Sequence, residues 1–176
     1  MWKKLTFLFG SLLLVVLLAF GYFFVSGIYT QSTDNRRLIS LSPSEKDLVL
    51  GEMRSMLKAV NGLIDALAKN DMAEAAKAAS SAGMAMAVDA TPLLMTKLPL
   101  DFKELGMGTH KEFDELAAQI KSGTSTELVL QKLSAITHRY VACHESNRLS
   151  ELRSGSTDYW VSGLFKFAIV PAQGAQ

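Results

Sequence analysis

The stretch Ser44-Glu-Lys-Asp-Leu-Val-Leu-Gly-Glu-Met-Arg-Ser-Met-Leu-Lys-Ala-Val-Asn-Gly-Leu-Ile-Asp-Ala-Leu-Ala-Lys69 decides the fold class. Its apolar positions Val49, Met53, Met56, Val60, Leu63 and Leu67 recur at alternating spacings of four and three. Such spacing lays one apolar stripe along a helix, and a lone helix cannot bury its own stripe. Ser44 reads as the N-cap, with Glu45 and Asp47 in the first turn. Three further helical patterns follow. Asn70-Asp71 ends the first and caps a second, from Met72 to about Val88, rich in alanine for close packing. Pro92 and Pro99 mark 89–99 as a loop. A third pattern runs from about Asp101 to Lys121, with an interruption expected near Gly106 and Gly108. A fourth runs from about Ser125 to Leu152, and no strand alternation competes before residue 156. The expected fold is all-α: an antiparallel four-helix bundle over 45–153.

Outward from the bundle, the N-terminal side differs in kind. Leu5 to Tyr29 form 25 consecutive uncharged residues. As a helix this run spans ~37 Å, enough for a hydrocarbon core of ~30 Å. Residues 1–30 therefore read as a transmembrane anchor, with Lys3 and Lys4 holding the N-terminus in the cytoplasm. The competing reading is a signal peptide cleaved near Gly27, which would release a soluble periplasmic protein. The expected location is the inner membrane, single-pass, with the bundle in the periplasm of a Gram-negative source. Residues 31–44 read as a polar linker, and 154–176 as an apolar tail too short to span a bilayer as a helix.

Composition narrows the function. The 176 residues leave room for about one domain, and a net charge of +1 gives no electrostatic footprint for nucleic acid. Without Lys3 and Lys4, 16 basic residues face 17 acidic ones. A single cysteine excludes an internal disulfide framework and any multi-thiolate zinc site. No phosphate loop, nucleophile elbow or metalloprotease motif occurs, so no enzyme is expected. The methionines are scattered, which favours packing over copper binding. His138 is expected to face solvent, His110 to be structural, and Asp114 with Glu115 to form a solvated face.

The chemistry lies in Thr137-His-Arg-Tyr-Val-Ala-Cys-His-Glu-Ser-Asn-Arg-Leu149. A c-type haem attachment signal has two cysteines separated by two residues and then histidine. Cys143-His144 match its second half, while Tyr140 stands where the first cysteine would be.

With Glu52-Met-Arg-Ser-Met-Leu-Lys-Ala-Val60, Asn70-Asp-Met-Ala-Glu-Ala-Ala76, Ser81-Ala-Gly-Met-Ala-Met86 and Lys97-Leu-Pro-Leu-Asp-Phe-Lys-Glu-Leu-Gly-Met-Gly-Thr-His-Lys-Glu-Phe-Asp114, this motif resembles the cytochrome c prime family and its cytochrome c-556-type relatives over roughly 46–149. The resemblance implies one haem between the first and last helices, held by a thioether from Cys143, with His144 as proximal iron ligand and Met53 as candidate distal ligand. Tyr140 allows one thioether at most. Three outcomes stay open: a single-thioether haem, a haem held without a thioether, or a vestigial site filled by Tyr140 and methionines. The implied function is electron transfer or gas binding; the alternative is a haem-free structural or interaction subunit of a membrane complex. Expected partners are the membrane and a redox or complex-subunit protein. A homodimer is open, and no nucleic acid is expected.

Overall fold

The computed structural model describes residues 2–152; the apolar tail expected at 154–176 lies outside them. The chain is mainly helical. In order come α1 (Trp2–Ser26), β1 (Tyr29–Gln31), β2 (Arg37–Leu41), α2 (Pro43–Ala68), α3 (Met72–Ser81), a 3-10 helix (Met84–Asp89), α4 (Pro92–Lys97), α5 (Leu100–Lys121), α6 (Thr126–Ser146) and β3 (Asn147–Glu151). Helix α1 is exposed along its length, has a mean hydropathy of 2.5, and is long and apolar enough to cross a membrane.

The stripe of α2 is buried as its spacing predicts. Val49, Met56, Leu63 and Leu67 are buried, joined by Ala59 and Ala66, while Met53 and Val60 are half-buried. Helices α2, α3, α5 and α6 share one core cluster that includes Leu63, Ala79, Phe113, Leu116, Val129 and Ile136. Alanines let α3 come close to its neighbours. The cap of α2 lies two residues earlier than expected, because Ser42 and Glu45 form a reciprocal capping box with Pro43 just inside the helix. Asp71 caps α3 as expected, accepting from the Glu74 amide at 2.9 Å.

Several expectations fail for local reasons. The second helical pattern stops at Ser81, where buried Gly83 admits the Asp114 side chain against the backbone. Asp114 and Glu115 are exposed, as expected, and Asp114 also accepts from the Met84 amide at 2.9 Å, anchoring the start of the 3-10 helix. Pro92 sits in the first turn of α4, with Thr91 as its cap, where its missing N–H costs nothing. Helix α5 runs unbroken through Gly106 and Gly108.

The largest departure is a sheet. Segment 31–44, expected as a linker, holds β2 and the start of α2, and the expected last turns of α6 are β3 instead. β1 pairs antiparallel with β2 through a turn in which Asn35 adopts φ 65°. β2 pairs parallel with β3, Ile39 opposite Leu149. Ile39 and Leu41 are fully buried in a second cluster with Val49, Leu94, Leu98 and Phe102. Arg37 pairs with Asp101, tying the sheet to α5.

The apolar helix α1 is packed onto this second unit. Lys103 is buried, donates to the Phe24 and Met95 carbonyls at the ends of α1 and α4, and lies over the Phe24 ring. Those carbonyls are the unmet acceptors of two helix ends, and an ammonium suits both. The Ile28 amide donates to Lys97 O at 2.8 Å. Gly27 has φ +66°, and a Cβ there would collide with the Leu98–Pro99 backbone. A Cβ at Gly106 meets nothing within 4 Å. Gly27→Ala should therefore destabilise the detergent-solubilised chain, whereas Gly106→Ala should stabilise it by about 0.5–1 kcal/mol. Equal thermal midpoints for the two variants would contradict the packed joint.

Glu45 supplies a pH-dependent contact. Burial pushes its carboxyl up, but two bonds from Lys97 Nζ (2.6 and 2.7 Å) and one from the Ser42 amide (2.9 Å) outweigh burial and hold it below its usual value. A depressed carboxylate stabilises the fold fully above its unfolded value of ~4.3, and that contribution is lost as pH falls through the folded value. Glu45→Gln should cost roughly 2 kcal/mol near neutrality and progressively less at low pH. Urea unfolding of both forms at pH 7 and pH 3.5 measures this; an unchanged difference would rule it out.

Candidate functional site

The last two turns of α6 carry the site. The helix face through Val129, Leu133 and Ile136 is buried in the main core. Continued by three or four residues, it presents Tyr140, Cys143 and His144 toward the seam between the two clusters. Tyr140 packs against the main core and Cys143 against the second. β3 begins at Asn147, whose Nδ2 donates to the Cys143 carbonyl at 3.1 Å and closes the helix end.

Two adjoining clefts open at this seam. One, of about 160 Å³, lies among Arg36, Lys46, Phe102, Asn147 and Arg148. The other, of about 70 Å³, lies among Glu52, Met56, His110 and Tyr140. Met53, Cys143 and His144 line both, so the structure brings together all three residues expected at the haem site.

Their states differ from those of a loaded haem site. His144 is exposed on α6, and its ring lies against Tyr140 with centroids 4.6 Å apart and planes tilted by 43°. Partial burial and then the nearby Arg36 charge hold its imidazole below the usual range. Burial, with Asp101 in the vicinity, pushes the Cys143 thiol up to about 11. The Tyr140 phenol is also raised, by burial and then by Cys143. On the second cleft, burial raises Glu52. His110 is buried, its Nδ1–H donating to the Ala82 carbonyl at 2.7 Å, which is the structural part expected of it. His138 is exposed, as expected.

A haem is matched here in donor chemistry but not in space. A thiol, an imidazole and a thioether meet at one seam, which is the correct set. A cavity of ~150 Å³ holds a single benzene ring, and sites for larger ligands run to ~300–1,000 Å³. Clefts of about 160 and 70 Å³ do not admit a tetrapyrrole as the side chains stand. Among the described residues, no group of three or more His, Cys, Asp or Glu could hold a metal.

Sequence reasoning missed the basic rim. Arg36 Nη1 donates to the His144 carbonyl at 3.1 Å while its guanidinium pairs with Asp34 at 2.6 Å. The Arg36 Nε and Nη2 bonds to Asp34, at 2.9 and 2.6 Å, and the Ser32 side chain hold Asp34 well below the usual carboxylate range. Lys46 and Arg148 complete the rim. The available signal was Arg36-Arg37 inside a supposed linker, legible only with the sheet in view.

No protein-family model matches this chain, and neither a curated protein nor a solved structure does. The likeness to cytochrome c prime rests on the quoted motifs.

The raised thiol makes a direct prediction. At pH 7.5 iodoacetamide should alkylate Cys143 at least about tenfold more slowly in the folded chain than in the denatured one, since an ordinary thiol near ~8.5 is far more ionised. The folded rate should keep climbing between pH 9 and pH 10.5. A plateau by pH 9 would show an unperturbed thiol.

Proposed function

We propose that this chain is a membrane-tethered, extracytoplasmic bundle of the cytochrome c prime plan that works without haem, as a binding or interaction subunit of a membrane complex. The observation carrying this reading is the narrowness of the seam. Tyr140 stands where the first haem cysteine would be and lies against His144, and the remaining space is ring-sized. The shared core of α2, α3, α5 and α6 supports the four-helix bundle. Lys3 and Lys4 before α1 support an N-terminus in the cytoplasm and a domain outside it. The packed joint at Gly27, Ile28 and Lys103 favours a retained anchor over cleavage near Gly27, because removal would expose a fitted surface.

A second reading has its own observation. Met53, Cys143 and His144 converge on one seam, as a single-thioether haem would require. Loading it means swinging Tyr140 and Met53 aside. Electron transfer or gas binding would then be the function.

A visible spectrum and a pyridine haemochrome assay separate the two, on full-length chain co-expressed with haem-maturation machinery. The haem-free reading expects no Soret band in the wild type and recovery of a covalent haem band in Tyr140→Cys, which restores the two-cysteine signal. A wild-type Soret band lost in His144→Ala, with extractable haem in Cys143→Ala, would replace it with the haem reading.

A further inference from the structure

We propose that the end of the domain beside α1 rests in the interfacial layer of a bilayer, so that α4, the start of α5 and the end of β3 form a second lipid contact. This deepens the membrane-anchor reading of α1 and rests on it.

The depth follows from α1. A hydrocarbon core takes about 20 apolar helical residues, and counted from Leu5, the first residue after Lys3 and Lys4, that length ends at Phe24. Tyr22 and Tyr29 stand on either side of this point, and their amphipathic rings favour such a boundary.

Three connections bring the domain to the same level. Lys103 Nζ joins the Phe24 carbonyl to the Met95 carbonyl of α4. The Ile28 amide donates to the Lys97 carbonyl at the end of α4, and the Leu98–Pro99 backbone lies against Gly27. Helix α4 and the first turn of α5 therefore sit beside the last turn of α1. The sheet arrives there too. Tyr29 is opposite Ile39 and Leu41 opposite Glu151, so by register β3 ends level with Gly27, two strand spacings (~10 Å) away.

The side chains at this level suit lipid. Leu93 on α4 is 65 % exposed, and Ile28, Leu100 and Leu152 are exposed as well. Exposed leucines scattered singly mean little, but these gather around the end of one long apolar helix. Phe23, Phe24 and Val25 carry exposed apolar surface from α1 into the patch, and that continuity selects lipid over a protein as its occupant. The cations at the same level have partners: Lys97 has Glu45 at 2.6 Å, Arg37 has Asp101, and Lys103 has the two carbonyls. They approach an apolar layer already hydrogen-bonded, which lowers the cost of doing so. Glu104, one turn after Leu100, is exposed and returns the surface of α5 to water. Past Leu152 the sequence carries Tyr159, Trp160, Phe165 and Phe167, with Lys166 the one charge after Asp158; these residue types partition to the same layer.

Nitroxide labels on single cysteines test this in the full-length chain, in a Cys143→Ala background, reconstituted into phosphatidylcholine vesicles. Oxygen concentrates in lipid and a nickel chelate stays in water, so the ratio of their collision rates with the label reads depth. Labelled Leu93→Cys should give a ratio severalfold above that of labelled Leu57→Cys, an exposed site on α2, as befits a depth of ~5–10 Å below the headgroups. Labelled Val15→Cys, in the middle of α1, should give the highest ratio. Leu100→Cys carries the test if the Leu93 variant does not fold. A ratio at Leu93 equal to that at Leu57, with a high ratio at Val15, sinks this inference alone and leaves the patch to a protein partner. A ratio at Val15 as low as that at Leu57 sinks the membrane-anchor reading and this inference with it.

Discussion

The parallel pairing of β2 with β3 is the constraint on which the site depends. It joins residues 37–41 to 147–151, so nearly the whole helical domain is enclosed between two paired strands. The pairing places fully buried Ile39 and Leu41 on the second cluster, each contributing about 1.5–3 kcal/mol of burial. It also ends α6. A helix continuing past Ser146 would carry Asn147 and Leu149 around a 3.6-residue turn; as a strand they run beside β2, and Asn147 is drawn into the interior. Cys143 and His144 thus sit at a helix end pinned from beyond, one turn from a buried amide.

That arrangement divides the molecule into two apolar clusters with a seam between them. The larger is built from α2, α3, α5 and α6; the smaller lies under the sheet, with α4 and the first turns of α2 and α5. Helices α2 and α5 serve both, and their half-buried residues, such as Met53, fall where the clusters meet. Helix α1 packs beside the smaller cluster, through the ammonium of Lys103 and the close approach at Gly27. Anything that reshapes the seam therefore acts on the unit to which this apolar helix is joined.

Sequence periodicity made the helices legible because burial on one face of a helix repeats over five or six turns. Val49 to Leu67 was readable for that reason, and Asp71 was readable as a cap from its chemistry. The sheet was not. β2 offers only Arg37-Leu-Ile-Ser-Leu41, two inward residues, and its partner lies more than a hundred residues away. Alternation that short carries little information, and Asn147–Glu151 looked like a continued helix because nothing local forbids one. The same gap hid part of the site: Cys143, His144 and Met53 stood in a motif, but Arg36, Asn147 and Arg148 reach the cleft only through strand pairing.

The pairing also bears on how Tyr140 sits beside Cys143 and His144. In a two-cysteine signal, residues three apart on a helix face grip one ring between them. Here that face has split. Tyr140 turns to the main core and lies against His144, while Cys143 turns to the second cluster as a small apolar group with a thiol raised to about 11. A thiol so buried packs well and ionises poorly. The cysteine fills the seam under the sheet, and the histidine, whose own carbonyl Arg36 holds, lines the cleft wall.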